Sequence, residues 1–129
     1  MYDLVLTTGT FNIVHAGHIE LFNFCRSVGK KVVVGLNGDR YLKNKYGSKA
    51  VALEHRLAVL ESLVQVNKIV VFEEETPCNL IKLIKPGAYV KGPDYFNKEI
   101  AELKILQELN IPLIIEDKDK ILSTSLIIN

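Results

Sequence analysis

The chain has 129 residues, 48% hydrophobic and 24% charged, with 16 basic against 15 acidic side chains and a formal net charge of +1. That length suits one domain, residues 1–129, since single cores are sustained at about 100–150 residues. The even charge balance argues against a general nucleic-acid or membrane surface, and Met1-Tyr2-Asp3-Leu4-Val5-Leu6 reads as neither signal peptide nor membrane span, so the expected compartment is the cytoplasm.

Short apolar runs alternate with longer amphipathic stretches along the chain, the pattern of repeated βα units. The first run, Leu4-Val5-Leu6, leads into Thr8-Gly9-Thr10-Phe11-Asn12-Ile13-Val14-His15-Ala16-Gly17-His18, and a helix is predicted over residues 17–28 with Gly29 as its stop. His15 and His18 then stand one turn apart at a helix N-terminus. Turn N–H groups and the positive end of the helix dipole attract anionic oxygens, and two imidazoles add donors that charge easily near neutral pH. The arrangement suits a polyphosphate.

A second strand, Val32-Val33-Val34, precedes residues 37–51, which read as one irregular segment rich in Gly, Asn and Lys. A loop of that length is expected to be functional or mobile. A helix is predicted over residues 52–66, a strand at Ile69-Val70-Val71-Phe72, a helix over residues 77–84 opened by Thr76-Pro77, and a strand at Ala88-Tyr89-Val90. A helix over residues 98–109, between Asn97 and Asn110, and a fifth strand, Leu113-Ile114-Ile115, complete the order. Near-continuous β-branched runs suit strands covered on both faces, which predicts a doubly wound, Rossmann-like α/β sandwich with a five-stranded parallel sheet. Cys25 and Cys78 belong to no CxxC or Cys/His cluster and read as buried thiols, with no protein metal site expected.

Ligands of such sheets bind beyond the carboxyl ends of the strands. The chemistry-bearing clusters lie there: residues 8–18 after the first strand, 37–49 after the second, 91–94 after the fourth, and 123–125 after the fifth and a charged loop.

Gly9-Thr10-Phe11 with His15-Ala16-Gly17-His18, Glu54-His55-Arg56, Val90-Lys91-Gly92-Pro93-Asp94-Tyr95 and Leu122-Ser123-Thr124-Ser125 occur in this order. Together they resemble the signatures of the cytidylyltransferase-like nucleotidyltransferases over nearly the whole chain. Phe72-Glu73-Glu74-Glu75-Thr76-Pro77 and the Lys-Gly-x-Asp-Tyr segment are most similar to the nucleotidyltransferase domain of bacterial ADP-heptose synthase; glycerol-3-phosphate cytidylyltransferase is a more distant likeness.

The resemblance implies attack by a substrate phosphate on the α-phosphorus of a nucleoside triphosphate, with pyrophosphate leaving and Mg²⁺ accompanying the triphosphate. His15 and His18 would contact the triphosphate. Thr8, Gly9, Thr10 and Phe11 would approach the nucleotide, and Arg56 would reach its phosphates. Lys43 and Lys45 would close over triphosphate and acceptor phosphate, beside Asn12. Lys91, Gly92 and Asp94 would contact the nucleoside, and Ser123, Thr124 and Ser125 the phosphates, although alone these three read as readily as a helix cap. Small relatives are often dimers, and a homodimer is implied. Asn12 replaces an aspartate common among relatives, and only Lys118 and Lys120 precede the Ser-Thr element, where glycerol-phosphate enzymes place an arginine. Lysine lacks the bidentate fork, which favours ATP and a sugar phosphate. CTP with glycerol 3-phosphate or another small phosphorylated alcohol is the alternative, and a catalytically silent nucleotide-binding module is a third reading.

Overall fold

Five apolar segments pair side by side, the central three buried between two layers of helix and the two at the edges only partly covered. A computed structural model describes residues 1–95 and 100–116. In chain order the elements are β1 (Tyr2–Gly9), α1 (Ala16–Val28), β2 (Gly29–Asn37), α2 (Asp39–Tyr46), a 3₁₀ turn (Gly47–Lys49), α3 (Leu53–Glu61), β3 (Lys68–Phe72), α4 (Cys78–Ile84), β4 (Ala88–Lys91), a second 3₁₀ turn (Pro93–Tyr95), α5 (Leu103–Glu108) and β5 (Leu113–Ile115). The strands form one parallel sheet in the order β3-β2-β1-β4-β5. β1 is central, with Val5 opposite Val32 on one side and Ala88 on the other. The winding reverses between β1 and β4, which opens a crevice at their carboxyl ends.

Alternation along the strands sorts the core into two layers. Val5, Val32, Val34, Ala88 and Val90 pack against Leu21, Phe22 and Cys25 of α1 and Leu60 of α3. Leu6, Val33 and Tyr89 pack against Leu80 and Ile81 of α4 and Ile105 and Leu106 of α5. Thr7 therefore shares the α1 face with Val5, and Thr8 the α4/α5 face with Leu6. Burial pushes the Cys25 thiol up to about 12, aided by the Glu116 charge, so it is unreactive near neutral pH. Both cysteines are free, Cys25 buried and Cys78 half-buried.

Three expectations need correction. The 37–51 segment is helical through most of its length: Gly38 precedes α2, Asp39 sits in its first turn, and Lys43 and Lys45 in its last, all complementary to the helix dipole. Leu42 is the only buried side chain of α2, so no apolar stripe announced it. α3 stops at Glu61, five residues short of the predicted end, and the Ser62 hydroxyl turns back onto the Ala58 carbonyl at 2.8 Å. Gly29 does more than end α1. It begins β2, and a Cβ there would lie 2.6 Å from Val5 Cγ1, so glycine permits strand entry against β1. Asn110 does follow α5 in the left-handed region at φ 56°. Of the last predicted helix, residues 98 and 99 and its start Asn97 lie outside the described residues, and α5 begins only at Leu103. No described helix is long and apolar enough to cross a membrane.

Candidate active site

The two histidines cap α1 reciprocally. The Gly17 backbone N–H donates to His15 Nδ1 at 3.0 Å, and the His15 backbone N–H donates to His18 Nδ1 at 3.2 Å. The rings stack with centroids 4.0 Å apart. Each Nδ1 accepts and therefore carries no proton, which leaves each neutral ring with its proton on Nε2. This revises the expected chemistry in two respects. The Gly17 N–H is already occupied, so an anion here meets imidazole Nε2–H groups first. Burial, reinforced by the neighbouring His15, lowers His18 to about 4, so that ring is a neutral donor at neutral pH and does not charge easily.

Two neighbours hold the pair. Phe11 sits at φ 44°, an uncommon backbone for a bulky residue. Its buried ring lies edge-on to His18 with centroids 5.1 Å apart and packs on Phe22 at 5.3 Å. A Cβ on Gly17 would stand 2.9 Å from His15 Cε1 and 3.1 Å from its Nδ1. The glycine of the His-x-Gly-His motif is thus the space into which the first histidine folds.

Two adjoining clefts open at the carboxyl edge of the sheet, beside a third opening of about 310 Å³ where Asn12 joins Thr10, His15 and His18. One, about 490 Å³, lies on the α1 face and is lined by Thr10, His15, His18, Asp94 and Glu116 among others. The other, about 350 Å³, lies on the α4/α5 face and is lined by Asn37, Tyr41, Glu75 and Glu102 among others. Thr8, Gly9, Thr10, Lys45, Lys91 and Tyr95 line both, so the clefts meet over the end of β1. Each is of a size that holds a small organic ligand. On the α1 side the fully buried Thr7 hydroxyl has no hydrogen-bond partner among the described residues, an unusual state for a buried polar group.

Beneath the junction runs a buried polar chain. The Tyr89 hydroxyl donates to Glu102 Oε2 at 2.9 Å, so its 2.6 Å contact with Thr8 Oγ1 has the threonine as donor. Burial and the Glu102 charge raise the Tyr89 pKa well above its ordinary value, which keeps the phenol protonated. Lys91 is 6% exposed and its Nζ donates to the Thr8 carbonyl at 3.1 Å.

Other expected residues stand elsewhere. Arg56 lines neither cleft: it is 1% exposed and donates to the carbonyls of Val51 (2.8 Å), Thr10 (3.2 Å) and Asn37 and to Asp39 Oδ1 (3.1 Å). In this structure it is a brace tying the ends of β1 and β2 to the start of α3. Asn12 is a second clamp, donating to the Lys49 carbonyl at 3.1 Å and accepting from the Val51 N–H at 2.7 Å. Lys45 reaches both clefts, whereas Lys43 is exposed on α2 and lines neither. Gly92 and Asp94 line the α1-side cleft. Ser123, Thr124 and Ser125, with Lys118 and Lys120, lie outside the described residues. Tyr41, Tyr46, Glu75, Tyr95 and Glu102 were not anticipated at the site. Glu75 and Tyr95 carried a signal, as members of the Phe72–Pro77 and Lys-Gly-x-Asp-Tyr segments.

A parallel sheet with a helix N-terminus and paired histidines at its switch point defines a nucleotide-binding α/β domain. The cytidylyltransferase-like family profile matches residues 6–129, and the chain belongs to that family. It is 39% identical over 117 residues to the bifunctional protein HldE of Aliarcobacter butzleri (strain RM4018), covering 89% of this chain and 25% of that protein. It is 38% identical over 128 residues to the HldE of Campylobacter fetus subsp. fetus (strain 82-40), covering 98% and 27%. The chain thus spans about a quarter of the length of these curated relatives. In fold it is similar to a lipopolysaccharide core biosynthesis protein from Thermoplasma volcanium GSS1, at TM-score 0.75 and 21% identity over 92% of this chain and 98% of that one. A bifunctional NMN adenylyltransferase/ADP ribose pyrophosphatase from Francisella tularensis, complexed with AMP and a manganese ion, gives 0.59 and 20% over 91% and 37%.

Proposed function

We propose that this chain transfers a nucleoside monophosphate, preferentially AMP from ATP, to a sugar phosphate with release of pyrophosphate. The observation that carries the reading is the reciprocal histidine cap at the mouth of a cleft that joins a second cleft across one strand end. The triphosphate takes the α1 side, its phosphates toward His15 and His18 and its nucleoside toward Gly92 and Asp94. The acceptor takes the α4/α5 side. There Asn37, Glu75 and Glu102 supply oxygens that accept from hydroxyl groups, which suits a polyhydroxylated acceptor.

An acceptor phosphate, with a second pKa near ~6, is already an anionic nucleophile at neutral pH, so the chemistry asks for positioning and charge stabilisation rather than a base. One of its oxygens bonds to the α-phosphorus on the side opposite the pyrophosphate, and pyrophosphate leaves with the electron pair of the broken P–O bond. The Nε2–H groups of the two imidazoles donate to oxygens that gain charge in that step. No group of three His, Cys, Asp or Glu side chains converges among the described residues. Mg²⁺ would come with the triphosphate, held mainly by its oxygens and water, and would offset their charge. The homodimer implied by the family resemblance is part of the same proposal and is checked by sedimentation equilibrium.

The test is a panel of ATP, CTP, GTP and UTP against heptose 1-phosphate, other sugar 1-phosphates and glycerol 3-phosphate, followed by pyrophosphate release. The highest kcat/KM is expected for ATP with a sugar 1-phosphate. A preference for CTP overturns the adenylyl assignment, and no turnover with any pair, in folded protein, favours the silent module.

A further inference from the structure

Lys91 is the one cation that is both buried and shared by the two clefts among the described residues. Its ammonium lies 4.4 Å from the centroid of the Tyr95 ring and 5.6 Å from that of Tyr89. The ion pairs among the described residues are Lys30–Asp3, His55–Glu54 and Arg56–Asp39, so no described carboxylate oxygen comes within 4.0 Å of Lys91 Nζ. Burial lowers its pKa, the more distant Glu102 pulling it partly back up and Lys45 adding to the fall. An ammonium has three donors, and Thr8 takes one. Holding such a group away from water without a contacting counter-charge opposes folding. An anion bound at the junction would supply what the protein withholds.

Resting on the two-cleft reading above, we propose that Lys91 is a catalytic residue that bridges the two substrates: it receives the attacking phosphate of the acceptor from the α4/α5 side and holds it against the α-phosphate on the α1 side. Its place at the end of β4, at the sheet's switch point, gives it access to both. Its seat on the Thr8 carbonyl and between two aromatic rings fixes where the charge stands. The ammonium stays protonated throughout, and the bond changes are those of the transfer itself. Lys45, exposed on α2, reaches the same junction from the open side, so two cations flank one anion.

The test compares wild type with Lys91→Met, Lys91→Gln and Lys91→Arg. Without ligand, Lys91→Met should melt no lower than wild type, because a buried, unpaired charge has been removed. Inorganic phosphate, followed by calorimetry and by its effect on the melting temperature, should bind about 10-fold or more weakly to the Met and Gln variants. With ATP and a sugar 1-phosphate, kcat should fall about 10²-fold or more while acceptor KM rises. Affinity for α,β-methylene-ATP should fall by a smaller factor than affinity for phosphate, since the histidine cap still holds the rest of the triphosphate. Lys91→Arg should recover part of the phosphate affinity and turnover.

A ligand-free Lys91→Met protein that melts several degrees lower, with phosphate affinity unchanged in the Arg and Gln variants, would make Lys91 a structural brace of Thr8 and overturn the proposal. So would a loss confined to the nucleotide analogue. If wild type releases no pyrophosphate with any pair, the transfer reading fails separately, while the melting and phosphate measurements still decide Lys91.

Discussion

Gly17→Ala is the smallest perturbation that should separate the site from the fold. The added Cβ would stand 2.9 Å from His15 Cε1, against a comfortable carbon–carbon separation of ~3.5–4.0 Å. The imidazole must therefore retreat by roughly 0.6–1 Å. Retreat stretches the 3.0 Å bond from the Gly17 N–H and disturbs the 4.0 Å stack on His18, moving both Nε2–H groups. A misplacement of about 1 Å in a positioned donor costs on the order of 10²-fold in rate. Stability should hardly respond, because alanine in place of glycine in a helix gains about 0.5–1 kcal/mol and a lost N-cap costs about 1 kcal/mol. Pyrophosphate release should thus fall about 100-fold while the thermal midpoint stays within a few degrees. The double variant with His15→Ala should be no slower than His15→Ala alone, because the side chain that the methyl displaces is gone. Near-wild-type turnover in folded Gly17→Ala, or additive losses in the double variant, would refute the idea that this glycine exists to seat the His15 ring.

Removing His18 as His18→Ala should lower turnover by roughly 10²-fold with an unchanged circular dichroism spectrum, and near-wild-type pyrophosphate release would sink its role as a donor. The His18 ring should titrate near 4 in ligand-free protein by NMR, below its ordinary 6.5, and the value should rise when a triphosphate binds. Because the unfolded chain binds the proton first, this group withdraws stability as pH falls from about 6.5 toward 4; His18→Gln should flatten the urea midpoint over that window, and an unaltered slope would count against the shift. Arg56→Met should cost about 3 kcal/mol or more in urea unfolding, since it strands three carbonyls and Asp39; intact stability with lost triphosphate affinity would restore the direct phosphate contact. Asn12→Asp turns a donor to the Lys49 carbonyl into a carboxylate facing it and should cost about 1–2 kcal/mol, with an unchanged urea midpoint as the contrary result.

The βα order, the parallel sheet and the identity of the strand-end clusters follow from local rules: β-branched runs, helix-length apolar periodicity, and small residues at turns. So did the neighbourhood of His15 and His18, because a helix start and one turn of spacing place them together without help from the rest of the chain. What those rings do there was decided by tertiary packing. Burial against Phe11 and the stack on His15 keep His18 neutral, and the Gly17 N–H, legible as an anion site, is spent inside the cap. Arg56 shows the same limit from the other side. Its motif gave its place near the strand ends, but whether a guanidinium points into a cleft or into backbone carbonyls depends on the 37–51 segment, whose helix α2 is anchored by one leucine and left no period to read. Lys91 and Glu102 were visible as charges, yet the chain that links Lys91 through Thr8 and Tyr89 to Glu102 needs β1, β4 and α5 assembled at once. Spacing along a chain determines which side chains share an element; desolvation and pairing between elements, which set charge state and direction, exist only once the sheet has closed.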